Sequence, residues 1–173
     1  MGGDGVDDTH DVGASDVTSV RARPRRFLSP VYELERDGSA FGEVEVAWFG
    51  RGSTFTVDFS RYDLARIEPL DWELRRGGLP DPVARVGRDR AMSAEHRIVW
   101  DDRELRVHPR LLRTRFELLE HGAQVGSARP AHLFTNRLEL DVPDELPGFV
   151  TALVVWSVVR MRRASAAAAS GGA

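Results

Sequence analysis

The run Leu146–Arg163, LPGFVTALVVWSVVRMRR, limits what the rest of the chain can be. From Phe149 to Val159 only Thr151 and Ser157 interrupt the apolar residues, and a helix so composed has no polar face wide enough to meet water. It must be enclosed. Its valines would also suit a strand, but the run is long for one and its flanks carry helix signals. Pro147 fits a first turn, Asp144 and Glu145 stand near the positive end of the dipole, and Arg160, Arg162 and Arg163 near the negative end. Crossing a bilayer takes about 20 apolar residues, and arginine stops this run well short of that. The expectation is a helix inside a protein.

At 173 residues the chain is sized for one domain with a real core. It has no cysteine, so neither disulfides nor thiolate metal sites can stabilise it. The N-terminus has neither a basic opening nor an apolar stretch, which argues against a secretory signal. Val6 stands where a myristoylation site wants Ser or Thr. The expected location is cytoplasmic, extending to the inner face of the membrane. All 24 basic residues are arginine. The net charge of -3 is unevenly placed, because residues 1 to 20 hold five aspartates and no base, leaving the remainder slightly positive.

Residues 1 to 26 read as a disordered acidic tail followed by a basic arm, Arg21, Arg23, Arg25 and Arg26. Residues 27 to 163 read as the folded domain, and 164 to 173 as a tail rich in alanine and glycine that can extend the helix by a turn or two before it frays at the glycines. Within the domain, hairpins follow one another. Tyr32 and Leu34 alternate with glutamates, Asp37-Gly38 signals a turn, and Val44, Val46 and Trp48 return. Phe55, Val57 and Phe59 predict one face of the next strand, with a turn near Ser60 to Asp63 and a return through Leu64 and Ile67. Trp72 and Leu74 lead through GGLPDP to Val83 and Val86; His96 to Trp100 turns at Asp101-Asp102 into Leu105 and Val107. Phe116 and Leu118 turn at His121-Gly122 into Val125, and a last strand lies around Leu133 to Leu140.

About eleven or twelve half-apolar strands must close on themselves or stack. A barrel of that size leaves a lumen wide enough for a helix about 10 Å across. The fold class is therefore mainly β: a closed antiparallel barrel of about twelve strands, built from tandem hairpins around the hydrophobic C-terminal helix.

The pattern Y-x-L-x-x-x-G-x-x-x-x-x-V at Tyr32 to Val44 continues in Phe55-Thr56-Val57, Phe116-Glu117-Leu118 and Val125-Gly126, and ends in the helix L-V-V-W-S-V-V-R. With these features the chain resembles the LURP-one-related family, which shares the fold of tubby C-terminal domains and phospholipid scramblases. The resemblance spans residues 27 to about 163 and implies a twelve-stranded barrel around a C-terminal helix. Tubby domains bind phosphoinositides through basic residues that include lysine; this chain has no lysine, so no such residue carries over by identity, and the scramblase calcium segment has no counterpart.

Catalytic patterns are weak. Ser93 with Glu95 and His96 lacks the Gly-x-Ser-x-Gly setting. Gly50-Arg51-Gly52-Ser53-Thr54 lacks the Gly-Lys of a phosphate loop and should join two strands. His10, His96, His108, His121 and His132 lack metal-ligand spacing and read as surface or rim residues, and Asp101-Asp102 reads as a turn pair. No metal and no cofactor are expected. The basic clusters remain: Arg21, Arg23, Arg25 and Arg26, then Arg75 and Arg76, then Arg110, Arg113 and Arg115. Arginine suits bidentate phosphate recognition, and a cluster near apolar residues gains about 1 kcal/mol per charge at an anionic membrane. Interspersed acids and core-committed aromatics argue against nucleic acid. The expected function is a non-enzymatic binding module for anionic phospholipid surfaces or for another protein; the alternative is an enzyme or small-ligand carrier using the barrel mouth.

Overall fold

The computed structural model describes residues 16–26, 29–47, 52–89, 94–110, 114–132 and 135–170. Its strands are β1 (Val17–Pro24), β2 (Val31–Arg36), β3 (Ser39–Glu45), β4 (Gly52–Val57), β5 (Ser60–Glu68), β6 (Asp71–Arg76), β7 (Pro82–Gly87), β8 (His96–Trp100), β9 (Arg103–Pro109), β10 (Phe116–Glu120), β11 (Ala123–Pro130) and β12 (Leu138–Pro143), followed by the helix α1 (Gly148–Ser170). Each strand pairs antiparallel with its sequence neighbour, and β1 pairs with both β2 and β12, closing a twelve-stranded barrel. Closure leaves no strand edge exposed.

Period-two alternation sets the two surfaces. Leu34, Phe55, Val57, Leu64, Leu74, Ile98, Leu105, Phe116 and Leu140 are buried with the helix, while the charged residues between them face out. Val150 to Val159 are buried all round, so the helix has no wet side over that length. Trp156 fixes its rotation by donating its Nε1–H to Ser53 Oγ at 3.0 Å and setting its ring edge-on to Trp72 at 5.3 Å. Ser157 is fully buried, and among the described residues its Oγ has no partner. Ser157→Ala therefore removes a desolvation cost and should raise stability by about 1 kcal/mol, read as a rise of about 2–4 °C in Tm by circular dichroism. A lowered Tm would mean that the hydroxyl has a partner.

The units starting at Tyr32 and Phe116 repeat one device. Each has a bulge, between Leu34 and Glu35 or between Leu118 and Leu119, with Gly42 or Gly126 paired beside it. A Cβ on either glycine would run into a backbone carbonyl, that of Thr56 or that of Asp141. Gly42 and Gly126 are thus required by close strand approach at a bulge.

Several expectations need correction. The folded unit runs from 17 to 170, not from 27 to 163. Residues 17–24 are a barrel strand rather than tail and arm, because Val20 and Ala22 point into the core while Arg21 and Arg23 point out. Residues 1–15 lie outside the described residues, as do Trp48, Ser93, Gly50 and Arg51. Phe59 is not on the inner face with Phe55 and Val57. It is fully exposed in a two-residue turn with Asp58, both at positive φ (60° and 47°), so the chain reverses earlier than Ser60. Ile67 is half exposed beside the bulge between Arg66 and Glu68. β12 starts at Leu138, later than expected, and residues 133–134 are not among those described.

The helix continues to Ser170, since alanine is the best helix former, and Arg160, Arg162 and Arg163 are not in its last turn. Asp144 and Glu145 precede the first turn. Asp144 accepts a hydrogen bond from Thr18 Oγ1, and Glu145 lies 3.7 Å from Arg103.

Candidate functional site at the long-loop mouth

The two ends of the barrel differ in how their strands are joined. Near the helix N-terminus the connections Asp37–Gly38, Asp58–Phe59, Asp101–Asp102 and His121–Gly122 have two residues each. Asp37-Gly38 and His121-Gly122 take positive φ at both positions (49° and 81°; 50° and 83°), which matches the strand twist. At the other end, where residues 160–163 emerge, five connections have six to eight residues: 25–30, 46–51, 88–95, 110–115 and 131–137. Loops carried on a rigid barrel are where binding groups concentrate.

Arginines lie over aromatic rings at both ends. At the tight-turn end Arg103 makes a two-pronged ion pair with Glu120, at 2.8 and 3.0 Å, and lies over Trp100 at 5.2 Å. The hydrogen bond from Arg103 holds the Glu120 carboxyl below the usual range. Arg36, at the same end, stacks over Phe41 at 4.8 Å with Nε and Nη2 buried and unpartnered.

At the long-loop end Arg160 lies over Trp72 at 5.1 Å and over Trp156 at 5.0 Å. Arg66 approaches the outer side of this cluster, 6.0 Å from the Trp72 ring, and is braced by the carbonyls of Glu68 at 3.1 Å and Pro69 at 2.5 Å. Arg88 follows β7, its N–H bonded to Leu70 O at 3.2 Å and its Nε buried without a partner. His96 stacks on Trp72 at 6.4 Å and contacts Trp156 at 5.9 Å, with Nδ1 buried and unpartnered.

The electrostatics follow from that arrangement. Burial, then the charges of Arg88, Arg66 and Arg163, pull the Arg160 guanidinium below its ordinary range. Burial, then Arg88 and Arg160, push His96 down to about 3, so its imidazole is neutral at pH 7. Among the described residues every charge acting on these two groups is positive. Positive groups facing each other without a carboxylate are costly in a partly dry setting, and an anion would relieve them. Beside this cluster Arg162 and Arg163, which donate to Thr135 O at 3.3 Å and Val46 O at 2.7 Å, line a groove of about 560 Å³ with Tyr32, Ala166 and Ala167.

The expected arginines do not form one surface. Arg21 and Arg23 are on the outer face of β1, and Arg25 and Arg26 on the connection after it. Arg23 pairs with Glu35 at 3.3 Å, and Arg25 with Glu33 at 3.1 Å and with Glu43. Arg75 meets Glu73 at 2.8 Å, and Arg76 donates to Ser60 Oγ at 2.8 Å; both are on β6. Arg110 meets Glu117 at 2.6 Å and its N–H bonds Arg115 O; Arg113 is outside the described residues. Both members of the Arg25–Glu33 pair are exposed and add little to stability, whereas Glu73 and Glu117 are the more buried partners of their pairs.

His96 is a core residue, 4% exposed, not a rim histidine. The alternation His96, Ile98, Trp100 carried that signal. His108 points outward to Glu95 at 2.9 Å, within a network that includes Arg106, so the two histidines do not converge. Among the described residues no group of three or more His, Asp or Glu could hold a metal, and no helix is long and apolar enough to cross a membrane. No known family's model matches the chain, and no curated protein matches it.

Proposed function

We propose that this chain is a non-enzymatic binding module that presents its long-loop end to an anionic membrane surface. The observation that carries this reading is the convergence of Arg66, Arg88 and Arg160, from β5, the end of β7 and α1, with only cations among the described residues acting on Arg160. The twelve-stranded barrel around a C-terminal helix also supports kinship with the LURP-one-related and tubby-like proteins. The outer arginines Arg21, Arg26 and Arg115 would add general attraction. The small-ligand reading retains one observation in its favour, the groove beside Arg162 and Arg163.

Co-sedimentation of the full chain with vesicles tests the proposal. Binding is expected to phosphatidylcholine vesicles containing phosphatidylglycerol, not to phosphatidylcholine alone, and to fall as salt rises. At about 1 kcal/mol per charge, Arg88→Gln with Arg160→Gln should weaken binding by roughly tenfold or more. Arg21→Gln with Arg26→Gln should weaken it less. Equal loss from both pairs would contradict the placement of the site, and no retention by anionic vesicles would favour the protein-scaffold reading.

A further inference from the structure

Resting on that reading of the long-loop end, and narrowing it, we infer that Arg88, Arg160 and His96 form a discrete seat for one tetrahedral oxyanion of the phosphate type. Two polar atoms point to it: Arg88 Nε and His96 Nδ1 are both buried and both lack a partner among the described residues. Native proteins seldom leave such atoms unpaired, and a single acceptor group reaching both would satisfy them together. His96 is 4% exposed and enclosed by Trp72 and Trp156, so its ring is held in place rather than free to seek water.

The third donor is prepared in the same way. Arg160 lies within 5.1 Å of the Trp72 ring and 5.0 Å of the Trp156 ring, and among the described residues its guanidinium makes no hydrogen bond or ion pair. Arg88 and Arg160 come from different elements, the end of β7 and α1, and both act electrostatically on His96. Donors arriving from a loop, a helix and a strand suit an ion whose oxygens point in several directions. A carboxylate presents its two oxygens in one plane, matching one guanidinium at a time. A metal cation is excluded by the charge of the donors. The neutral imidazole serves as an Nδ1–H donor, so the seat requires no protonation of His96.

The experiment is a titration of the full chain with sodium phosphate, read at the His96 imidazole by NMR, with sodium chloride at equal ionic strength as control. The His96 resonance is identified by its absence in His96→Gln. The expected result is a saturable shift with phosphate and none with chloride, with affinity reduced tenfold or more in Arg88→Gln. Arg160→Gln gives the same loss, but it disturbs the indole stack, so Arg88→Gln, at a partly exposed position, is the deciding variant. A short-chain phosphatidic acid separates two sources of the ion. Saturation at lower concentration than with phosphate assigns the seat to a lipid headgroup, and equal or weaker binding assigns it to a free phosphate. A shift that does not saturate, that chloride reproduces, or that Arg88→Gln leaves intact overturns the seat. Retention on anionic vesicles in that case leaves the surface reading standing, whereas a phosphate-specific shift without vesicle binding overturns the surface reading alone.

Discussion

Trp156→Ala is expected to lower the free energy of unfolding by about 3–5 kcal/mol, the range for truncating a fully buried aromatic. That is a large share of the roughly 5–15 kcal/mol that holds an ordinary domain together. Trp156 is 1% exposed at the centre of the enclosed part of α1, and its ring fills space against Trp72 and His96. Truncation leaves a cavity that the closed barrel cannot collapse around, because its wall is one continuous hydrogen-bonded ladder. It also removes the donor to Ser53 Oγ. Trp156→Phe keeps most of the ring and should cost clearly less. Chemical denaturation followed by circular dichroism measures both. A loss under about 1 kcal/mol for the alanine variant would mean that the helix rests on a surface.

Acid should act through a single core imidazole before it acts on the carboxylates. In the folded protein His96 is held neutral down to about pH 3 by burial and by Arg88 and Arg160, with Arg66 further out across Trp72. The unfolded chain takes up that proton near pH 6.5. Between these values the unfolded state binds more protons, so the stabilisation from the neutral ring is fully present above pH 6.5 and is lost as pH falls. The slope is about 1.4 kcal/mol per pH unit well below 6.5, and the loss between pH 6.5 and 4.5 comes to about 2 kcal/mol. Below about 4.5 Glu73 and Glu120 join in. Hydrogen bonds from Arg75 and Arg103 hold them below the usual carboxylate range, and their contributions disappear as pH falls through those lowered values. Urea unfolding at pH 6.5, 5.5 and 4.5 should give the slope in the wild type and a much flatter dependence in His96→Phe. An equal slope in both would place the effect elsewhere.

The architecture was legible because its strongest signals are local. The apolar run after Pro147 has one environment that suits it, and Asp37-Gly38, Asp101-Asp102 and His121-Gly122 mark reversals the backbone does make. β1 was obscured because its inward residues, Val20 and Ala22, are small and few, while Arg21 and Arg23 between them read as an arm. Phe59 was misplaced because period two continues on paper through a turn that the chain takes one step earlier. Of the mouth cluster only Arg160 stood out in the sequence, as part of the basic end of the helix. Arg66, Arg88 and Arg160 are far apart in the sequence, whereas the clusters that stand out there are spread over the outer face, where Arg23, Arg25, Arg75 and Arg110 pair with glutamates.

What unites fold and function here is a helix sealed in a barrel that carries an unanswered positive charge to one end, against a dry histidine. The proton affinity of His96 in the unliganded protein reports on this most directly, through an NMR pH titration of its ring. The ring is expected to stay neutral through pH 4.5 and to titrate near 3. A midpoint near 6.5, the value of a solvated imidazole, would contradict both the enclosure of this corner and its positive field.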